Sequence, residues 1–234
     1  MNSEDIIHKI REDYNRIAGL FSGTRYDLWE ELKQFGKFVK EGQNILDWGC
    51  GNGRLLFLFK NKKINYFGLD QSDELLKIAE KKWEAEVVSG KANFFLTAEQ
   101  EKIFADNFFD LAFLIASFHH LPDEKTRLHL LNKIYKELKP QGKIIMTVWN
   151  LESDWAQSKL QKDWKKVGDN DYIIPWKNNK GEILTERFYH HFNSDELQDL
   201  LEKSGFKKIE LFYDDIKNNT DSRGGRNLIV IAEK

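Results

Sequence analysis

The chain has 234 residues, of which 41% are hydrophobic and 32% are charged, with a formal net charge of -2. This length fits one domain with a sizeable core, and the balanced charge excludes a globally basic nucleic-acid binder while leaving a local basic face open. The acidic N-terminus has no apolar signal core and no apolar run approaches a membrane span, so we expect a soluble cytoplasmic protein.

Strand and helix patterns alternate along most of the chain. A helical N-terminal segment, residues 1–43, comes first, and its pattern breaks near residues 19–23. We predict strands at 45–48, 66–69, 93–96, 109–115 and 143–148, with helices between them at 55–60, 73–83 and 123–138. Such alternation predicts a mostly parallel sheet with helices on both faces.

The C-terminal part follows a different order. Residues 151–192 form an insertion after the fifth strand. Asn193, with Glu196 three residues later, marks the start of a helix that stops at Gly205. Strands at 207–213 and 227–232 then predict an antiparallel hairpin that closes a seven-stranded sheet. We expect a single domain over residues 1–234.

The most informative segment is the loop after the first strand. Asp47 lies at the end of that strand, and Gly49, Gly51 and Gly53 follow at every second position before a helix begins. Glycine lets such a loop turn sharply and lets a ligand touch the backbone, and the helix start adds unpaired N–H groups. The spacing differs from the G-x-G-x-x-G of dinucleotide folds, although another nucleotide-binding domain remains the alternative. Cys50, the one cysteine, excludes an internal disulfide and is expected to pack behind the loop.

The second strand ends at Asp70, whose carboxylate can accept both hydroxyls of a ribose. Together these segments resemble the class I S-adenosylmethionine-dependent methyltransferases, in which the glycine loop packs on the methionine part and the second acid holds the ribose. The resemblance implies a Rossmann-like α/β fold and S-adenosylmethionine as cofactor. The residues carried over to the cofactor site are Asp47, Gly49, Cys50, Gly51, Asn52, Gly53, Asp70, Gln71, Ser72, Ala98, Glu99 and Ala116.

His119 and His120 follow the fourth predicted strand, at the same edge of the sheet. Adjacent histidines suggest a metal, but neighbours on a turn point apart and no Cys or acid cluster completes a site, so we expect no metal. One histidine either holds the loop by hydrogen bonds or faces the substrate, and the sequence leaves both open.

Two other segments combine an arginine with aromatic side chains. They are residues 21–26, ahead of the first strand, and residues 187–192, at the end of the insertion. Taken alone, either segment is explained by packing of its aromatic side chains and exposure of its arginine to solvent. Together they indicate a pocket with two arginines, Arg25 and Arg187, and stacking surfaces.

A closer resemblance runs from about Tyr14 to the C-terminus. It is carried by Ile17-Ala18, Phe21-Ser22, Thr24-Arg25, the glycine loop, Ile115-Ala116-Ser117-Phe118-His119-His120, Val148-Trp149, Ile174-Pro175-Trp176 and Arg187-Phe188-Tyr189-His190. These motifs resemble the eukaryotic tRNA wobble-uridine carboxymethyl methyltransferases, including the methyltransferase domain fused to an AlkB-type hydroxylase. That family esterifies the carboxylate of 5-carboxymethyluridine, so the resemblance implies tRNA as a partner. It also implies a small zinc-containing activator subunit as a possible second partner.

The chemistry of this family matches the residues that the chain offers. A carboxylate is already a nucleophile at neutral pH, so transfer can rest on alignment with the methyl group rather than on a general base. Arginine compensates for desolvating a carboxylate because its planar fork binds it bidentately. The catalytic candidates are Arg25, His120, Arg187 and His191, and the candidates for binding a flipped uridine are Trp149, Trp176 and Tyr189.

The insertion interleaves basic and aromatic residues. They are Trp155, Lys159, Lys162, Trp164, Lys165, Lys166, Trp176, Lys177 and Lys180. Such a face can bind phosphates and unstacked bases. The alternative is a solvated amphipathic helix, since Asp163, Asp169 and Asp171 dilute the charge.

The chain departs from the family pattern at several positions, among them Gln141, which replaces a glycine in the turn before the fifth strand. Two other functions therefore stay open. One is a small-molecule methyltransferase of the same fold, acting on a quinone precursor or a metabolite carboxylate. The other is a methyltransferase-like scaffold without turnover.

Overall fold

The computed structural model describes residues 2–25, 27–97, 104–214 and 224–234, and its centre is a seven-stranded sheet. The strands are β1 (Asn44–Trp48), β2 (Asn65–Asp70), β3 (Ala92–Leu96), β4 (Phe109–Ile115), β5 (Leu138–Trp149), β6 (Lys165–Lys166), β7 (Asp171–Lys177), β8 (Ile183–His190), β9 (Lys207–Tyr213) and β10 (Asn227–Glu233). The central sheet has the order β3-β2-β1-β4-β5-β10-β9. β10 is antiparallel to both of its neighbours, and the other pairs are parallel. The predicted fold and its closing hairpin are confirmed.

The helices are α1 (Ser3–Gly23), α2 (Asp73–Lys82), α3 (Glu84–Val88), α4 (Glu124–Glu137), α5 (Asp154–Leu160) and α6 (Ser194–Lys203), with 3-10 segments at Glu30–Phe38, Arg54–Phe59 and Phe118–His120. Polar side chains cap the N-termini of five of them. Asn2, Ser72, Asp123, Ser153 and Asn193 each accept a backbone N–H in the first turn of α1, α2, α4, α5 and α6. Within the described ranges, none of the helices combines the length and the apolar character that crossing a membrane requires.

Apolar side chains cover both faces of the central sheet. Leu131 of α4 and Leu201 of α6 belong to the core on one face. Phe35 and Phe59, from two of the 3-10 segments, belong to the core on the other. β4 lies between these layers, which explains why its sequence reads as a nearly continuous apolar run.

β5 begins at Leu138, earlier than the predicted start at residue 143. Residues 139–142, which were predicted to form a turn, belong to the strand itself. Leu138 already pairs with Phe109, and the register between β4 and β5 shifts before the next pair, Leu111 with Lys143. Gln141 lies in this stretch with φ at 66°, a left-handed conformation that favours glycine.

Residues 151–192 fold mainly as a second sheet, in which β6, β7 and β8 are antiparallel. The alternative of an amphipathic helix holds only for the short helix α5. These strands were not predicted from the sequence. Tyr172 pairs with Tyr189 and Ile174 with Arg187, so this sheet carries one of the predicted arginines towards the core of the molecule.

Helix α1 lies between α2 and β8. On one side, the Ser72 hydroxyl donates to Asn15 Oδ1 at 2.6 Å, and Asn15 Nδ2 donates to Asp73 at 2.7 Å. On the other side, the Thr185 hydroxyl donates to the carboxylate of Asp13. These contacts hold α1 over the edge of the sheet where the predicted site residues gather.

Candidate active site

A cavity of about 900 Å³ lies at the carboxyl ends of β1, β2, β4 and β5. This is the edge at which open α/β sheets bind ligands. The predicted residues that line it are Arg25, Asp47, Gly49, Cys50, Gly51, Asn52, Asp70, Gln71, Ala116, His120, Trp149, Arg187 and Tyr189. Gly53, Ser72, Trp176 and His191 do not line it, and Ala98 and Glu99 lie outside the described residues.

The glycine loop has a left-handed backbone at all three glycines, with φ of 76°, 55° and 69° at Gly49, Gly51 and Gly53. A Cβ at Gly49 would lie 2.4 Å from the Cβ of Ser117, and one at Gly53 would lie 3.0 Å from the ring of Phe94. Both positions therefore need glycine for the turn and for close packing. Gly53 acts behind the loop, because the neighbours of its missing side chain belong to the core and not to the cavity.

The carboxylate of Asp70 anchors the loop. It accepts the N–H of Gly51 at 2.7 Å and that of Ser72 at 2.8 Å. Burial raises the pKa of Asp70, and these backbone donors counteract the shift. An ionised carboxylate has about four acceptor sites, so Asp70 keeps capacity for further donors in the cavity. Ser72 acts elsewhere, because its hydroxyl caps α2 and bonds to Asn15.

Asp47 is the most deeply buried acid of the cavity, with 2% of its surface exposed. The Tyr66 hydroxyl donates to its Oδ2 at 2.5 Å. Burial raises the pKa of Asp47 to about 7, although the Tyr66 hydrogen bond lowers it; the charge of Asp70 raises it further and that of Arg54 lowers it. A positive group in the cavity would hold this carboxylate in its ionised form.

Asn52 joins the glycine loop to the end of α1. Its Nδ2 donates to the Ser22 hydroxyl at 2.8 Å and to the Arg25 carbonyl at 3.1 Å. This connection places Arg25 at the rim of the cavity. The sequence contains both segments, but no local pattern shows that an amide side chain joins them.

Ala116 lies directly after β4 and has φ at 51°. An alanine rarely adopts this left-handed conformation, and such strain concentrates at functional sites. The backbone N–H of Ala116 is held by the carbonyl of Thr147 at 2.9 Å and by its hydroxyl at 3.0 Å.

Arg187, Tyr14 and His120 form a directed chain of hydrogen bonds. His120 Nδ1 lies 2.8 Å from the Phe188 carbonyl, which only accepts, so Nδ1 carries the proton. Burial lowers the pKa of His120 to about 3, so its Nε2 is an acceptor for the Tyr14 hydroxyl at 2.8 Å. That hydroxyl in turn accepts from Arg187 Nη1 at 3.0 Å. Both nitrogens of His120 are therefore engaged, and the histidine orients Tyr14.

The guanidinium of Arg187 is buried, with 3% of the residue exposed, and forms no ion pair with the described residues. Its Nε has no hydrogen-bond partner among them. Instead, the rings of Tyr14, Trp176 and Tyr189 surround it, with centroids 5.1–5.4 Å from Cζ. Arg25 likewise lies over Trp176, at 5.9 Å. Trp176 therefore packs on both predicted arginines, although it does not line the cavity itself.

Comparison with known proteins identifies the family of the chain that forms this cavity. The methyltransferase domain family matches residues 20–211. The chain belongs to this family. It is an S-adenosylmethionine-dependent methyltransferase, and the predictions of the enzyme class and of the cofactor are confirmed.

Two curated relatives carry the same name, tRNA (carboxymethyluridine(34)-5-O)-methyltransferase. The one from Schizosaccharomyces pombe is 29% identical over 90% of this chain and 92% of its own length. The one from Arabidopsis thaliana is 31% identical over 73% of this chain but only 38% of its own length. The chain thus spans nearly all of the first relative and well under half of the second.

Two solved structures share the fold of this methyltransferase. A SAM-dependent methyltransferase from Methanosarcina mazei gives a TM-score of 0.67 at 23% identity, covering 89% of this chain and 98% of that one. A methyltransferase from Haloferax volcanii, in complex with the activator Trm112, gives 0.64 at 20% identity, covering 96% of both chains.

The aromatic candidates Trp149 and Tyr189 line the cavity of the methyltransferase but already stack on other rings. They lie 5.0 Å apart with an angle of 21° between their planes. Trp149 also stacks on Trp164 at 6.1 Å, and Tyr189 packs on His119 at 4.9 Å. The two rings thus form part of an aromatic column that runs from the cavity into the second sheet.

His191 lies apart from the cavity and holds the insertion. Its Nδ1 accepts the N–H of Leu151 at 3.3 Å, and its Nε2 lies 3.6 Å from the Glu152 carboxylate. Within the described part of the chain, no group of three or more His, Cys, Asp or Glu residues has an arrangement that holds a metal ion.

Two residues of the cavity, Tyr14 and Arg54, were not selected from the sequence. Tyr14 lies in α1, ahead of the first motif segment, and Arg54 directly follows the glycine loop. The only available signal for Arg54 was its position beside that loop, where a charged residue begins an otherwise apolar 3-10 segment.

Proposed function

We propose that this methyltransferase esterifies the carboxylate of a 5-carboxymethyl-type uridine at the wobble position of tRNA. The observation that carries the proposal is Arg187, a buried guanidinium at the cavity that lacks an acid partner among the described residues. Burying an unpaired charge is costly, so such a site favours an anionic ligand. A carboxylate suits the guanidinium because two parallel hydrogen bonds can form.

The residues around Arg187 fit a reaction without a general base. His120 is neutral and both of its ring nitrogens are occupied, so it does not take a proton from the substrate. Its role in the proposal is to orient the Tyr14 hydroxyl, which fixes Arg187. S-adenosylmethionine, when bound, supplies the electrophilic methyl group. Arg187 and Arg25 then hold the attacking carboxylate in line, and alignment of this kind contributes up to roughly 7–11 kcal/mol in favourable cases.

In the cofactor half of the proposed site, Asp70 holds the ribose and Asp47 meets the amino group. The glycine loop packs on the methionine part, with Ala116 and Gln71 beside it. The fit of these residues rests on Asp47, a buried carboxylate with no cationic partner at ion-pair distance within the described ranges. Ala98 and Glu99 remain predicted cofactor contacts from the sequence.

The names of the relatives support tRNA as the substrate. Both proteins are named for a methyltransferase that acts on carboxymethyluridine at position 34. We propose the same substrate for this chain because it spans nearly all of the Schizosaccharomyces pombe protein.

The proposed RNA face on the insertion has fewer unpaired lysines than its sequence indicates. Lys177 pairs with Asp163 at 2.7 Å, and Lys165 pairs with Glu186 at 3.0 Å. The basic residues of this face that form no ion pair with described residues are Lys159, Lys162, Lys166 and Lys180. We infer that these four lysines contribute most of the phosphate contacts, since neutralised lysines release fewer counterions on binding.

We also propose a small zinc-containing activator subunit as a partner. The family resemblance in the sequence supports it, and the fold matches that of the Haloferax volcanii protein in the complex with Trm112. Purification with and without such a subunit, followed by activity and stability measurements, tests this partner separately from the reaction.

Mass spectrometry of tRNA nucleosides tests the proposed reaction. The tRNA carries 5-carboxymethyluridine and is incubated with the enzyme and S-adenosylmethionine, in the presence of an activator subunit in a parallel series. We expect a methyl ester at the wobble uridine, and mild alkali should return it to the acid. An alkali-stable methyl group on the tRNA would refute the proposal. Transfer of the methyl group only to low-molecular-weight compounds would refute it as well.

A variant series tests Arg187 itself. Replacing Arg187 with Met should lower kcat/KM by roughly 100-fold or more, because a charged hydrogen-bonded pair contributes about 1.5–3 kcal/mol and its bidentate geometry is lost as well. Arg187→Lys should restore part of the loss. The matched control is Arg16→Met on α1, since Arg16 is exposed and lies outside the cavity. Equal activity of the Arg187→Met variant and the wild type would show that the carboxylate binds elsewhere.

A further inference from the structure

We propose that His119 distinguishes uracil from cytosine in the acceptor site, by donating its Nε2–H to the carbonyl oxygen at C4 of the base. This role rests on the proposed function, because it takes a 5-carboxymethyl-type pyrimidine as the methyl acceptor. The arginines then hold the carboxylate, and His119 selects the base that carries it.

The hydrogen bonds of His119 fix which of its ring nitrogens carries the proton. Its Nδ1 accepts the backbone N–H of Trp149 at 3.2 Å. A ring nitrogen that accepts a hydrogen bond carries no proton, so the proton of the ring lies on Nε2. Burial lowers the pKa of His119 well below its ordinary value, and the neighbouring His120 and Arg187 lower it further, which keeps the ring neutral.

The Nε2–H of His119 is an unused donor beside the cavity. The side chain lines the cavity, although only 1% of the residue is exposed. Its Nε2 forms no hydrogen bond with any described residue. A desolvated donor without a partner is costly, so this position favours a ligand with an acceptor. His120 differs in this respect, because both of its ring nitrogens are already engaged.

The surrounding structure gives the ring of His119 one orientation. It lies in the 3-10 segment Phe118–His120, shortly after β4. The Ser117 hydroxyl anchors the start of this segment, since it donates to the carbonyl of Trp48 at 2.9 Å. The ring itself packs on Tyr189, with centroids 4.9 Å apart and an angle of 30° between the planes. The donor is therefore held in place before any ligand binds.

Tyr189 brings this donor and Arg187 to the same part of the cavity. Cζ of Arg187 lies 5.3 Å from the centroid of the Tyr189 ring, which also contacts His119. In a 5-carboxymethyluracil the carboxymethyl group is attached to C5, and the carbonyl oxygen O4 belongs to the adjacent ring carbon. When the carboxylate binds Arg187, O4 is the acceptor of the base nearest to that carboxylate, and His119 is the donor beside it.

The fixed proton of His119 makes the contact selective. Cytosine carries an amino group at C4, which is a donor, where uracil carries an acceptor. The histidine cannot reverse its role, because a proton moved to Nδ1 would face the N–H of Trp149. A cytosine would therefore leave two desolvated donors facing each other, and we expect this to lower kcat/KM by roughly 10- to 100-fold.

The test compares two anticodon stem-loop RNAs, which carry 5-carboxymethyluridine or 5-carboxymethylcytidine at the wobble position. The full chain and S-adenosylmethionine are incubated with each RNA, and mass spectrometry of the methyl ester gives the ratio of the two kcat/KM values. The wild type should prefer the uridine RNA roughly 10- to 100-fold. His119→Asn keeps an acceptor near the position of Nδ1 but lacks the Nε2–H, so its ratio should fall close to parity. His119→Gln, whose amide can donate near the position of Nε2, should keep part of the preference.

His8→Asn is the matched control, because it makes the same substitution at an exposed histidine of α1 that does not line the cavity, and it should keep the wild-type ratio. For a variant without turnover, the affinities of the two RNAs in the presence of S-adenosylhomocysteine, measured by fluorescence anisotropy, provide the ratio instead. A wild-type ratio in His119→Asn would assign the histidine a structural role and overturn the selection of the base, as would equal methylation of both RNAs by the wild type. If the wild type esterifies neither RNA, the proposed function itself is refuted, and the role of His119 with it.

Discussion

Replacing Asp47 with Asn should stabilise the ligand-free protein while it weakens cofactor binding. Asp47 is buried and its pKa is raised to about 7 from the ordinary value of 3.8. Between these two values the folded state binds a proton that the unfolded state has released. The contribution of Asp47 to the free energy of unfolding therefore falls as pH rises through this window and is constant above about pH 7.

The size of the effect follows from the shift. A difference of one pKa unit corresponds to about 1.36 kcal/mol, so the ionised carboxylate costs roughly 4 kcal/mol above about pH 7. At about pH 5 the cost is roughly 1.5 kcal/mol, because most of the titration window lies above that pH. The asparagine removes this dependence. The hydrogen bond of the asparagine with Tyr66 is weaker than that of the carboxylate. This lowers the free energy of unfolding by an amount that does not change with pH.

Chemical denaturation at a series of pH values between about 5 and 8 measures the difference between the variant and the wild type. We expect the advantage of Asp47→Asn to grow by roughly 3 kcal/mol across that range and to level off near its upper end. The matched control is Asp169→Asn, an exposed aspartate of the insertion, which should give no such change. A difference that stays constant with pH, or that shrinks as pH rises, would refute the assignment of a costly buried charge to Asp47.

Three other substitutions probe separate parts of the site and the fold. Asp70→Ala should weaken S-adenosylhomocysteine binding by roughly 10- to 100-fold in calorimetry, since it removes a charged acceptor, and unchanged affinity would contradict the ribose assignment. Tyr14→Phe should lower kcat/KM about 10-fold without changing cofactor affinity, because the Arg187 guanidinium loses its only hydrogen-bond partner among the described residues; an equal effect on cofactor affinity would argue against this role. Gln141→Gly should raise the free energy of unfolding by about 1 kcal/mol through relief of a left-handed backbone, and a lower denaturation midpoint would show that the side chain compensates for the strain.

The placement of the glycine loop and Asp70 at the cavity was predictable from the sequence because its determinants are local. The loop from Asp47 to Gly53 joins one strand to one 3-10 segment, and Asp70 ends the next strand in the chain. The topology of a parallel sheet then brings both strand ends to one edge. Three roles required the structure: the capping of α2 by Ser72, the link from Asn52 to the end of α1 and the packing of Gly53 against the core.

The surroundings of Arg187 were less predictable because their contacts are distant in sequence. Tyr14 and His120 are separated by 106 positions, and Tyr14 and Arg187 by 173. No pattern of spacing identifies a tyrosine that bridges two such residues. The second sheet was missed for a related reason. β6 consists of two lysines and β7 contains Pro175, which is unusual within a strand, so their sequences do not indicate a sheet without the aromatic column around Trp149 on which it packs.

The arginines of the cavity connect stability with function. Arg187 and Arg54 are desolvated and have no acid partner among the described residues, and aromatic rings provide only part of the compensation. Asp47 is likewise a desolvated acid, and no described cationic side chain lies at hydrogen-bond distance from it. An internal salt bridge would remove these costs, but it would also occupy the groups that the proposed ligands need. The fold keeps opposite charges apart in one cavity, so ligands that carry the complementary charges stabilise the folded state as they bind.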